Sequence, residues 1–73
     1  MCLIITFHTT TEAMAFESLI RARQLPGRLI PVPTSIRAGC GLAWMAPAES
    51  SGQIISLIDQ SGIGYDTIYN HDL

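Results

Sequence analysis

Arg28-Leu29-Ile30-Pro31-Val32-Pro33-Thr34-Ser35-Ile36-Arg37-Ala38-Gly39-Cys40-Gly41-Leu42-Ala43-Trp44-Met45-Ala46 is the stretch on which the fold turns. Residues 28–33 read as a strand of aliphatic residues broken by proline. Pro31 has no N–H to give to a ladder, so this strand belongs at the edge of a sheet. Residues 34–39 form a loop, and residues 41–46 read as a further, more apolar strand. Two strands therefore follow one another in mid-chain with no helix between them.

Upstream, Cys2-Leu3-Ile4-Ile5-Thr6-Phe7 is an unbroken apolar, β-branched run of strand length. Such a run suits the middle of a sheet. Thr10 or Thr11 can cap a helix, with Glu12 in its first turn at the positive end of the dipole. Good helix formers continue to about Gln24. Ala13, Phe16, Ile20 and Arg23 share one face, flanked by Met14 and Leu19, before Leu25-Pro26-Gly27 turns the chain. Downstream, Pro47-Ala48-Glu49-Ser50 opens a second helix to about Ser61, with Ser50-Ser51 as its cap. Its stripe is Ile54, Ile55 and Ile58, with Leu57 at the margin and Gly62 as its stop. Residues 65–70 alternate as a last strand, and residues 71–73 read as a fraying end.

The order is β-α-β-β-α-β, which predicts one α+β domain over residues 1–73. It is the ferredoxin-like split βαβ, an antiparallel sheet in the order 4-1-3-2 with both helices on one face. That order puts the Pro31 strand at an edge and the 2–7 strand inside. The proline argument and the apolar run reach these positions independently.

Composition narrows the function. Of 73 residues, 48% are hydrophobic and 14% are charged. There is no lysine, and the net charge is -2. The four arginines make no basic footprint for nucleic acid. No apolar run is long enough to span a membrane, and residues 1–7 do not form a signal peptide. The expected location is the cytoplasm. Two cysteines are too few for a secreted disulfide framework and read as reduced thiols.

Cys40 stands between Gly39 and Gly41 at a loop–strand junction, with open space on both sides of the sulfur. If residues 2–7 pair end to end with residues 41–46, Cys40 faces His8. It also lies near the N–H groups of residues 11–14 at the first helix start. A helix N-terminus and a nearby cation both favour thiolate. His8 and Arg37 are the candidate cations, and His8 is also a possible proton acceptor. The plain alternative is that Cys40 is a small apolar plug opening a strand. Cys2 starts its strand at the opposite end of the sheet, about 17–20 Å away. A disulfide needs Cα atoms within about 7 Å, so no Cys2–Cys40 bridge is expected in one chain. His71 returns beside Cys2. Neither end offers the three or four ligands of a zinc site. The reading includes no metal and no cofactor.

The chain resembles a family of small prokaryotic proteins described as putative selenium/sulfur carrier protein-like. The residues that carry the resemblance are Thr6-Phe7, Thr9-Thr10, Ala13, Phe16-Glu17, Ile30-Pro31-Val32-Pro33, Ile36 and Cys40-Gly41-Leu42-Ala43. The most specific part is the Pro-x-Pro loop leading to Cys-Gly. The resemblance implies a thiol that holds sulfur or selenium as a persulfide or selenopersulfide, with Cys40 at the family cysteine. His8, Thr10, Arg37, Gly39 and Gly41 would support it, and donor and acceptor proteins would be its partners. A carrier or accessory protein fits better than a stand-alone enzyme, because no third group is visible in the sequence to orient a Cys–His pair. The alternative is a non-catalytic interaction or regulatory module that dimerises through the open face of the sheet.

Overall fold

The computed structural model describes residues 1–33, 36 and 41–71. The chain forms β1 (Cys2–Thr6), α1 (Thr10–Ala22), β2 (Arg28–Pro31), β3 (Leu42–Pro47), a 3₁₀ turn at Ala48–Ser50, α2 (Ser51–Ser61) and β4 (Thr67–His71). The four strands form one sheet in the order β2-β3-β1-β4, and every neighbouring pair is antiparallel. Counted from the other edge, the same series is β4-β1-β3-β2. The Pro31 strand lies at an edge and the apolar run Leu3–Ile5 lies inside, each where its chemistry requires.

Alternation along the strands sorts the two faces. Leu3, Ile5 and Phe7 from the first strand and its end join Trp44 and Ala46 in one core. Ala13, Phe16 and Ile20 of α1 and Ile54, Leu57 and Ile58 of α2 complete it, so both helices cover the same face. Phe16 is central. Its ring centroid is 5.8 Å from that of Phe7 and 6.0 Å from that of Trp44, the latter edge-on at 84°. Truncating such a residue to alanine costs about 3–5 kcal/mol.

Helix boundaries and phases differ in detail from the sequence reading. Thr9, not Thr10 or Thr11, is the N-cap of α1. Its hydroxyl accepts from Glu12 N at 3.1 Å, and Glu12 Oε1 accepts from Thr9 N at 3.2 Å, a closed capping box. The Thr9-x-x-Glu12 spacing is the sequence signature of that motif. The helix ends at Ala22, and Gln24 takes a φ of 56°. Met14 is exposed instead of flanking the core. In α2, Leu57 is buried and Ile55 is exposed. Positions 54, 57 and 58 follow the i, i+3, i+4 rule, whereas residue 55 lies about 100° around the helix from residue 54. Ser50 occupies the N-cap position of α2 without a side-chain cap bond, and Gly62 stops the helix at φ 76°.

β3 runs Leu42–Pro47 instead of 41–46, and β4 runs Thr67–His71 instead of 65–70. β2 stops at Pro31, short of residue 33. No helix among the described residues is long and apolar enough to cross a membrane.

Candidate functional site

β1 and β3 pair with Thr6 opposite Ala43 and Cys2 opposite Pro47. That register is one residue away from the end-to-end pairing of 2–7 with 41–46. Continued past Thr6, it aligns His8 with Gly41. Gly41 opens the run into β3 at φ 77°, and among the described residues no atom lies within 4 Å of where a β-carbon would stand. Its carbonyl accepts from Val32 N at 3.0 Å, tying this turn to the β2 edge. Only glycine takes that φ without strain. Cys40, Gly39 and Arg37 lie outside the described residues, as does most of the 34–39 loop.

The antiparallel sheet brings three further segments to the Gly41 end. The first is the end of β1, the second is the first turn of α1, and the third is the loop before β4. Asp66 N donates to Thr6 O at 2.7 Å and fixes that loop against β1. Thr6 itself is buried, and its hydroxyl accepts from Thr67 N at 3.1 Å. His8 follows β1 with its side chain 60% exposed. Its Nδ1 lies 3.5 Å from Glu12 Oε1, and its Nε2 lies 3.9 Å from Asp66 Oδ1. The same Glu12 oxygen accepts from His8 N at 3.0 Å. Thr10, the first residue of α1, is exposed, and the capping hydroxyl belongs to its neighbour Thr9.

These contacts revise the electrostatics expected for the site. The helix N-terminus was to offer the N–H groups of residues 11–14. Instead, Glu12 N bonds the Thr9 hydroxyl, and Ala13 N bonds Thr9 O at 3.2 Å. The Glu12 carboxylate also offsets the positive end of the dipole. Among the described residues, the charged groups within 4 Å of the His8 ring are the Glu12 and Asp66 carboxylates. Sequence reasoning missed both as partners of His8. Glu12 was legible from its i, i+4 spacing to His8. Asp66 was not, because only the closure of β4 onto β1 brings it there.

Cys2 is a free, half-buried thiol at the other end of the sheet. It lies opposite Pro47 on one side and His71 on the other. It lines a cleft of about 430 Å³ with Met1, Gly27, Arg28, Met45 and Pro47 among its neighbours. A further cleft, of about 590 Å³, runs between the helices past Leu19, Arg23, Leu57 and Gln60. Of the candidate site residues that are described, His8, Thr10 and Gly41, none lines it. Among the described residues, no group of three or more His, Cys, Asp or Glu side chains is placed to hold a metal ion.

The architecture defines a small α+β protein, a four-stranded antiparallel sheet under two helices. At the sheet end where Gly41 enters β3, hydrogen bonds tie the end of β1 to the first turn of α1 and to the loop before β4. The chain belongs to the family described as putative Se/S carrier protein-like, whose model matches residues 2–70. No curated protein and no solved structure matches it.

Proposed function

We propose that the protein carries sulfur or selenium on Cys40 between a donor enzyme and an acceptor protein, in the cytoplasm. Membership of the family matched over residues 2–70 is the observation that carries this reading. In the loading step, the Cys40 thiolate attacks the outer sulfur of a donor persulfide. A new S–S bond forms, the donor's S–S bond breaks, and the donor cysteine leaves as thiolate. Delivery to an acceptor thiolate is the same exchange in reverse. Such exchange needs thiolate and an accessible sulfur. Sequence connectivity attaches Cys40 to Gly41, at the sheet end where His8 stands. We read the architecture as the ferredoxin-like split βαβ, a scaffold that holds this end of the sheet between α1 and the loop before β4.

The test is intact-protein mass spectrometry after incubation with a cysteine desulfurase and cysteine. The expected result is one added sulfur on the wild type and none on Cys40→Ser. An unmodified wild type sinks the reading.

A second reading has its own observation. On the face away from the helices, Ile4 and Ala43 are buried, while Ile30, Met45 and Tyr69 are half-buried around them. An apolar face of this kind suits a second copy. A dimer by light scattering that is unaffected by Cys40→Ala would favour the interaction module, and a monomer would exclude it.

A further inference from the structure

We infer that a second copy of this chain docks along the outer edge of β4, its own β4 running antiparallel to the first, so that two four-stranded sheets become one. This surface is distinct from the open sheet face, and the inference does not depend on what Cys40 carries.

β4 ends the sheet, and among the described residues no strand pairs with its outer side. Thr67 turns its backbone inward. Its N–H donates to the Thr6 hydroxyl at 3.1 Å, and that hydroxyl donates to Thr67 O at 3.3 Å. Backbone direction alternates along an antiparallel strand, so the N–H and C=O groups of Ile68 and Asn70 face outward. The two edges of the sheet differ in kind. β2 is four residues long and carries an exposed Arg28 and Pro31, devices that keep an edge from pairing. β4 is Thr67-Ile68-Tyr69-Asn70-His71, with no proline, lysine, arginine or acidic residue. Threonine, isoleucine and tyrosine are good strand formers, and nothing in the strand blunts its edge.

A second observation lies on the same side of the molecule. α1 packs on β2 and β3, and α2 lies beside it across the cleft lined by Leu19, Leu57 and Gln60. α2 therefore stands on the β4 side. Ile55 lies about 140–160° around α2 from Leu57 and Gln60, on the flank turned away from α1. It is the one large apolar side chain of α2 left exposed, at 38%.

A second copy satisfies both features. A twofold axis through Tyr69 sets Ile68 opposite Asn70 of the second copy. The two residues exchange both N–H···O bonds, and the axis repeats the pair. Residues opposed in an antiparallel pair share a face, so both helix layers lie on one side of the joined sheet. The two α2 helices become neighbours there, with their Ile55 flanks turned toward one another. On the other face, Tyr69 meets its own copy as an aromatic cross-strand pair. No like charges are opposed between the two β4 strands.

The experiment is sedimentation of the full chain over a range of concentrations, joined to a cross-link. The wild type is expected to form a dimer. Asn70→Pro removes an outward N–H and leaves the ladder to β1 intact. Ile55→Arg sets like charges against each other across the axis. Each is expected to raise the dimer dissociation constant about tenfold or more, with the far-ultraviolet circular dichroism unchanged. Should Asn70→Pro fail to fold, Ile55→Arg alone decides. In a Cys2→Ser, Cys40→Ser background, Tyr69→Cys places two thiols opposite each other at a non-hydrogen-bonded position. Cα atoms there are about 4.5 Å apart, within disulfide range, so mild oxidation is expected to link the two chains. A wild type that stays monomeric overturns the inference. So does the absence of that link, or a dissociation constant that the folded variants leave unchanged. A dimer that survives in this way is joined through another surface, such as the open sheet face.

Discussion

Glu12 and Gly64 touch across the N-terminus of α1, so closely that a β-carbon on Gly64 would overlap Glu12 Oε2. The contact joins the capping box to the loop that leads into β4. The same carboxylate serves the helix cap, His8 and this loop.

Gly64→Ala must displace Glu12 from that position. The carboxylate is the end of a flexible side chain, so the penalty is the loss of the cap and not an unrelieved clash. A destabilisation of about 0.5–2 kcal/mol is expected, the usual worth of an N-cap interaction. The check is a double-mutant cycle in urea. Glu12→Ala should cost about 1 kcal/mol alone and close to nothing in the Gly64→Ala background.

The two adjacent threonines should separate cleanly. Thr9→Ala removes the hydroxyl that accepts from Glu12 N and should cost about 1 kcal/mol. Thr10 is exposed at the first helical position, and Thr10→Ala should stay within about 0.5 kcal/mol. Equal losses at the two positions in thermal or urea unfolding would contradict the cap assignment.

Gly27 has a φ of 127°, and a β-carbon there would lie 2.5 Å from Trp44 Nε1 and 2.6 Å from Met45 O. Strain at such a φ and overpacking against a buried ring act together, so Gly27→Ala should cost at least ~2 kcal/mol. Adding Trp44→Phe should recover only part of the loss, because the Met45 carbonyl and the backbone conformation remain. Full recovery in equilibrium unfolding would show that the indole alone sets the constraint. That indole N–H is buried without a hydrogen-bond partner among the described residues, so replacing it removes an unsatisfied donor as well.

Cys2 and Gly41, the residue that follows Cys40 in the sequence, are separated by the length of β3. Six strand residues span about 20 Å at ~3.3 Å each, against a limit of about 7 Å between Cα atoms for a disulfide. Mild oxidation should therefore give no Cys2–Cys40 bond within one chain. Peptide mapping under non-reducing conditions, with the monomer band isolated, would detect one.

The amino-acid sequence by itself determined the order of the elements and the places of two strands in the sheet. It could do so because the signals are local and covalent. Pro31 lacks an N–H wherever it stands, the run from Leu3 to Ile5 is apolar without alternation, and Gly62 tolerates a left-handed turn. The family resemblance was legible for the same reason, since it rests on the Pro31-x-Pro33 loop and the residues that follow Cys40. Tertiary structure alone decided which flank of α2 is buried. Ile55 and Leu57 are both good apolar candidates, and the position of the helix over the sheet chose Leu57. The strand register moved by one residue because pairing is set by how whole strands pack, and no single residue marks it. The neighbours of His8 show the same limit. Glu12 lies one helical turn away in sequence, but Asp66 arrives only when β4 closes antiparallel onto β1. A histidine read as the possible cation beside a thiol thus stands between two carboxylates. That arrangement results from long-range strand pairing, to which local propensity has no access.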